Sequence, residues 1–200
     1  SQETHHSIPA YALLVTHYGL ANHNRKHSTM TDNIVKTQVL VLGGGPGGYP
    51  AAFKAADLGL EVTLVDLEQN PGGVCLYRGC IPSKALLHAA KVLNEAREAA
   101  ELGIHFGAPT IDLDQLRGFK DRVVGQLTGG VGMLSRQRKV RFIQGRGQFV
   151  DSHTLAVTHA DGSTSQVQFE YAIVATGSRP ALIPAFDIGS ERIMDSTAAL

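Results

Sequence analysis

The chain has 200 residues, 43% of them hydrophobic, and 18 Lys and Arg balance 18 Asp and Glu, so its formal net charge at pH 7 is zero. That composition supports a sizeable core and excludes a disordered protein. Cations are not massed on one segment and no apolar run approaches the roughly 20 residues that span a bilayer, which argues against nucleic acid or membrane as the main partner. The opening stretch, Ser1 to Ser28, carries five of the nine histidines (His5, His6, His17, His23 and His27). It has little periodicity, and it lacks the basic start of a secretory signal. Residues 1–33 are expected to be a disordered extension, with a histidine metal tract as the alternative; Met30-Thr31-Asp32-Asn33 makes a natural chain start before the first strand.

Gln38 to Leu42 is a short continuous apolar run, the pattern of a strand buried on both faces. Pro46 to Leu58 reads as an Ala-rich helix with Pro50 in its first turn, where a missing N–H is tolerated, and Gly59 as its terminator. Glu61 to Val65 reads as a second strand ending at Asp66. Strand, glycine turn, helix, strand is the start of a right-handed parallel crossover. Gln69 to Gly73 is a turn segment. Cys80 to Leu102 and Asp112 to Gln137 have helical periodicity, the second weakened by Gly118, Gly125, Gly129, Gly130 and Gly132. Residues 140–143, 147–150, 154–158 and 166–169 are short strand candidates, with Asp161-Gly162 as a hairpin turn. Tyr171 to Ala175 is a further buried strand, followed by Thr176-Gly177-Ser178-Arg179-Pro180. The expected class is α/β: a Rossmann-like domain with a parallel sheet, plus a small antiparallel meander over about residues 140–170.

Gly43-Gly44-Gly45-Pro46-Gly47-Gly48 matches the dinucleotide pattern G-x-G-x-x-G, and the strand before and helix after give it the required context. In that pattern Gly43 allows the tight turn, Gly45 lets the backbone approach a pyrophosphate, and Gly48 permits close packing of helix and strand. The helix N-terminus offers N–H groups and partial positive charge to phosphates. Asp66 follows Gly48 by 18 positions, near the spacing of a ribose-hydroxyl acceptor. A carboxylate there disfavours a 2′-phosphate; its alternative role is to close a strand-end turn.

Cys75 and Cys80 are the only cysteines, placed between Gly72-Gly73 and Ile81-Pro82-Ser83-Lys84. A bridge closing so short a loop adds little stability, and the spacing fits no common zinc framework. Beside a nucleotide motif the pair reads as a redox-active disulfide in a cytosolic protein, with no metal site. The glycine pattern does not separate FAD from NAD; a dithiol passing electrons to a nicotinamide needs a mediator, and a flavin is one.

These segments, in this order from about Lys36 to Leu200, resemble the N-terminal part of the dihydrolipoamide dehydrogenases, flavin-dependent pyridine nucleotide-disulfide oxidoreductases. Pro82-Ser83-Lys84 after Cys80 fits the lipoamide and mercuric reductase branches. The resemblance implies that Gly43, Gly45 and Gly48 wrap the FAD pyrophosphate and that Asp66, where the family more often has Glu, binds the adenosine ribose. Gly72 and Gly73 also belong to the cofactor set. Cys75 becomes the interchange thiol and Cys80 the thiol beside the flavin. Lys84 steadies the reduced flavin, with a solvated helix residue as the alternative. Gly147 contacts the adenine through its backbone, with a bulge glycine as the alternative. Thr176 and Ser178 close on the FAD. Tyr77 departs from the Asn often found there, with a small effect expected.

The implied activity is oxidation of dihydrolipoyl groups by NAD+ through the disulfide and FAD. The implied partners are the acyltransferase of 2-oxoacid dehydrogenase complexes or the glycine cleavage carrier, with a cytoplasmic homodimer at full length and no nucleic acid or membrane. Residues 34–200 are expected to be an incomplete FAD-binding domain. The nicotinamide-binding and interface domains, with the His-Glu base, are expected to be missing, so the chain alone is not expected to be fully active. Two alternatives stay open: a mercuric or other disulfide reductase, and a non-catalytic FAD-binding fragment.

Overall fold

The computed structural model describes residues 13–14, 34–181 and 183–200. Except for Leu13 and Leu14, the extension expected over residues 1–33 lies outside them. The chain divides into two compact units, residues 1–69 with 135–176, and residues 70–134 with 177–200.

The first unit is built on one seven-stranded sheet. Its elements in chain order are β1 (Leu13–Leu14), β2 (Ile34–Leu42), α1 (Tyr49–Asp57), β3 (Val62–Asp66), β4 (Arg141–Gln144), β5 (Arg146–Phe149), β6 (Thr154–Thr158) and β7 (Thr164–Val174). The order β4-β3-β2-β7 is parallel throughout, and β5, β6 and β7 form an antiparallel meander; β1 pairs antiparallel to the C-terminal end of β7. The expected α/β class with a parallel sheet and a meander is therefore present. Leu40, Val41, Leu64 and Val65 are fully buried in the two central strands, each contributing about 1.5–3 kcal/mol by leaving water. Leu40 and Val65 share a cluster with Leu155, Val157, Val167 and Phe169 of the meander, so sheet and meander are one core.

Three expectations need correction. The strand candidates at 166–169 and 171–175 are one strand. Polar Glu170 sits between them without breaking the ladder, because Phe169 and Tyr171 keep their partners Thr37 and Val39 on β2. The meander begins at Arg146 rather than about residue 140, because β4 pairs in parallel with β3, Phe142 opposite Leu64. The helix also starts later than the sequence suggests, at Tyr49 with Pro50 in its first turn; Gly59, at φ +86°, ends it as expected.

The second unit is helical: α2 (Gly73–Arg78), α3 (Cys80–Glu98) and α4 (Leu113–Gln137), whose last turn enters the first unit. No periodicity in the sequence announced α2. The end of α3 tightens into a 3₁₀ turn over Ala99–Leu102, closed by Gly103 at φ +81°. Asp112 caps the start of α4: its Oδ1 accepts from the N–H groups of Asp114 (3.0 Å) and Gln115 (2.9 Å), and its Oδ2 accepts from the Gln115 side-chain amide at 3.0 Å. Among the described residues no helix is long and apolar enough to cross a membrane.

α4 ends in a Schellman motif, with Val140 N–H bonded to Ser135 O and Lys139 N–H to Arg136 O, both at 3.0 Å. Lys139 takes the left-handed position, φ +56°, and among the described residues it is the one non-glycine with positive φ. Lys139→Gly should therefore raise the unfolding free energy by about 0.5–1 kcal/mol. Urea denaturation checks this; an unchanged or lower midpoint would contradict the strain.

Candidate functional site

In the first unit, β2 delivers the chain into the glycine turn. Gly43 stands at φ +103°, and a Cβ there would overlap the carbonyl oxygen of Ala175. Only glycine fits. A Cβ on Gly48 would overlap the carbonyl oxygen of Gly43, so the turn closes on its own start; it would also sit 3.4 Å from the Ala175 methyl. Gly45 carries the turn's hydrogen bonds, its carbonyl accepting from Gly48 N–H at 2.8 Å and Tyr49 N–H at 3.1 Å. The turn thus points the N-terminus of nine-residue α1, with its partial positive charge, toward the space where a phosphate is expected.

Asp66 is tied into this turn. Its Oδ2 accepts from Gly44 N–H and its Oδ1 from Glu68 N–H at 2.9 Å. The structure thus shows the strand-end role weighed as an alternative. It leaves the ribose role open, since an ionised carboxylate has about four acceptor positions and two are used. Gly147 is not a bulge glycine. It occupies a regular ladder position opposite Val157, and a Cβ would come within 2.6 Å of the Leu42 side chain and 2.9 Å of Leu155. Its smallness is a packing requirement beside the last residue of β2. The Thr176 backbone nitrogen lies 3.0 Å from where a Gly43 Cβ would stand, so the strand-end segment reaches the turn. The sequence reading missed Ala175. Its N–H bonds Leu42 O at 2.8 Å while its carbonyl and methyl press on Gly43 and Gly48. A small residue just before Thr-Gly was the available signal.

In the second unit, backbone permissiveness places the cysteines. Gly72 is buried, with Leu76 Cβ 2.9 Å from where its own Cβ would be, and Gly73 takes φ +58° to start α2. Gly79 separates α2 from α3 and packs on Val74, whose carbonyl oxygen is 3.0 Å from a would-be Cβ. Cys75 therefore rides on α2 and Cys80 is the first residue of α3. Fully buried Pro82 and buried Ala85 anchor the start of α3. Both cysteines are free thiols, Cys75 half-buried and Cys80 exposed. Burial raises the Cys75 thiol above its ordinary range, and its hydrogen bond and repulsion with Cys80 add to this; the Cys80 backbone N–H and the Lys84 cation partly oppose it. Lys84 is exposed, one turn beyond Cys80. The structure thus gathers Gly43, Gly45, Gly48, Asp66, Gly147 and Thr176 around one turn, and Gly72, Gly73, Cys75, Cys80 and Lys84 around one thiol pair. Ser178 is exposed in the segment after Thr176. Tyr77 is more than a spectator: its hydroxyl accepts from Asn70 N–H at 3.2 Å and donates to Asn70 O at 3.1 Å.

The profile of the pyridine nucleotide-disulphide oxidoreductases matches residues 37–200. Dihydrolipoyl dehydrogenase of Haemophilus influenzae is 52% identical over 166 residues, 83% of this chain and 35% of that protein. The Vibrio cholerae enzyme of the same name is 49% identical over the same shares. The crystal structure of LpdA from Mycobacterium tuberculosis superposes with a TM-score of 0.68 at 32% identity, covering 74% of this chain and 33% of that one. The chain spans about a third of the length of these relatives.

The raised Cys75 thiol has a kinetic consequence. In the reduced protein its alkylation by iodoacetamide should keep rising with pH beyond the ordinary cysteine range, because the thiolate is the reactive form. Lys84→Met should move that profile higher still, since the cation favours the thiolate. By linkage, the half-buried Cys75 thiol in its neutral form contributes stability at low pH that is lost as pH rises through the folded-state pKa. Peptide-resolved alkylation against pH checks this; a Cys75 profile levelling below that of a free thiol would contradict it.

Proposed function

The chain belongs to the pyridine nucleotide-disulphide oxidoreductase family, and from that we infer that it is the FAD-binding portion of a dihydrolipoyl dehydrogenase. The observation that carries the reading is the pairing of two free thiols, Cys75 and Cys80, at a helix junction built by Gly72, Gly73 and Gly79. The names of the relatives support the lipoyl branch over a mercuric reductase. FAD and NAD are the cofactors of that class.

The residues fit a dinucleotide. The turn from Gly43 to Gly48 has no room for a side chain at either end, and it leads into a helix N-terminus, which suits a pyrophosphate. Asp66 keeps free acceptor capacity for the adenosine ribose. Gly147, Gly72, Gly73, Thr176 and Ser178 complete the proposed cofactor set, and Lys84 supplies a cation one turn from Cys80. FAD, when bound, supplies a two-electron carrier between dithiol and nicotinamide.

In the thiol exchange, one thiolate of a dihydrolipoyl group attacks the Cys75 sulfur of the oxidised pair and Cys80 leaves as thiolate. The second lipoyl sulfur then closes the lipoyl ring, releasing Cys75 as thiolate. Two electrons pass to the protein and the lipoyl disulfide is formed. Burial holds the Cys75 thiol protonated at neutral pH, so a base that takes its proton speeds the reverse attack. Hydride acceptance by NAD and homodimer formation are assigned to regions outside the third that this chain matches. The lipoyl group arrives on the acyltransferase of a 2-oxoacid dehydrogenase complex or on the glycine cleavage carrier, in the cytoplasm.

The test is the visible absorption spectrum of the FAD-loaded protein before and after dihydrolipoamide. The reading predicts a flavin spectrum that gains a long-wavelength shoulder on reduction. Cys80→Ser should keep the flavin and lose the shoulder. Flavin that does not respond to dithiol, or flavin lost in Cys80→Ser, counts against the assigned roles.

A further inference from the structure

The six residues of α2 cannot hold their own position, since isolated helices this short are unstable in water. Glycines bound the helix, Gly73 at φ +58° and Gly79 at the junction with α3, and glycine leaves the backbone free to move. Something outside must brace the helix that carries Cys75. The brace is visible on its opposite side. The Tyr77 hydroxyl accepts from Asn70 N–H (3.2 Å) and donates to Asn70 O (3.1 Å), so a single phenol closes seven residues onto α2. Asn70 is pinned in turn by α4. Its side-chain oxygen fills the space that a Cβ on Gly132 would take, and Gly132 is buried. Fully buried Pro71 and buried Gly72, which lies against Leu76, complete the path.

We propose that Tyr77 is a positioning residue of the redox couple: clipped through Asn70 to Gly132 of α4, it holds Cys75 where its thiol meets Cys80. Residues two apart on a helix face opposite ways, so Tyr77 grips the scaffold while Cys75 faces its partner. Closing a disulfide ring depends on how often the two sulfurs meet, and a braced α2 raises that local concentration. The proposal rests on reading Cys75 and Cys80 as a redox couple.

The test is redox equilibration of the full chain with glutathione. Two glutathione thiols reduce the Cys75–Cys80 disulfide. The intramolecular S–S bond breaks, glutathione disulfide forms, and two electrons and two protons pass to the protein thiols. Tyr77→Phe should lower the equilibrium constant for forming the protein disulfide about tenfold, a shift of about 30 mV toward easier reduction. Gly132→Ala, whose methyl takes the place of the Asn70 side-chain oxygen while keeping the phenol, should shift it the same way, and it decides the matter if Tyr77→Phe does not fold. A merely structural tyrosine lowers the melting temperature of oxidised and reduced forms equally and leaves the equilibrium unmoved. An unmoved equilibrium in the folded variants overturns the positioning role alone. If the parent chain forms no Cys75–Cys80 disulfide with oxidised glutathione, the redox reading falls and the positioning role falls with it.

Discussion

The first unit depends on one steric constraint: the turn after β2 closes so tightly that neither Gly43 nor Gly48 has room for a Cβ. Gly43 is pressed by the Ala175 carbonyl, and Gly48 by the Gly43 carbonyl with the Ala175 methyl behind it. The end of β2, the start of α1 and the end of β7 therefore meet at one point. Hydrogen bonds extend the junction, from Gly43 N–H to Val65 O at 2.8 Å, from Ala175 N–H to Leu42 O at 2.8 Å, and from Gly145 N–H to Asp66 O at 2.8 Å. The ends of β2, β3 and β7 are thus joined at the turn by backbone groups. A larger residue at any of these three positions has to move a strand, not a side chain.

The second unit works by a different physical means. α2 and α3 meet at Gly79, with Cys75 on the six-residue α2 and Cys80 opening α3. Burial of Cys75 favours the neutral thiol, while Lys84 and the Cys80 backbone N–H favour the thiolate, and burial is the largest of these influences. Cys75 is thus favoured as the neutral thiol, hydrogen-bonded to Cys80.

Much of the site was legible in the sequence because its chemistry is carried by residue types with few other uses. Three glycines in a strand-to-helix turn, a carboxylate at the end of the next strand, and two isolated cysteines are local signals. What was not legible is relational. Ala175 is one alanine among many until β7 is seen to end on the glycine turn. Tyr77 looked like a neutral replacement until its hydroxyl was seen to span Asn70. The six residues of α2 carry no period to read. The unity of β7 across Glu170 and the parallel placement of β4 were hidden because pairing partners far along the chain decide them. Gly147 shows the opposite limit. Its glycine was noticed, but packing on Leu42 and Leu155, rather than a bulge, is what demands it.

The measurement that bears most directly on this account is equilibrium dialysis of FAD against the parent chain and Ala175→Leu, with folding of both verified by circular dichroism. The account predicts that the parent retains FAD and that a leucine at the junction, by displacing Gly43 and Gly48, weakens retention more than tenfold, about 1.4 kcal/mol or more. Equal retention by both chains would contradict the central place given to the turn, and no retention by the parent would contradict the reading of this chain as a FAD-binding unit.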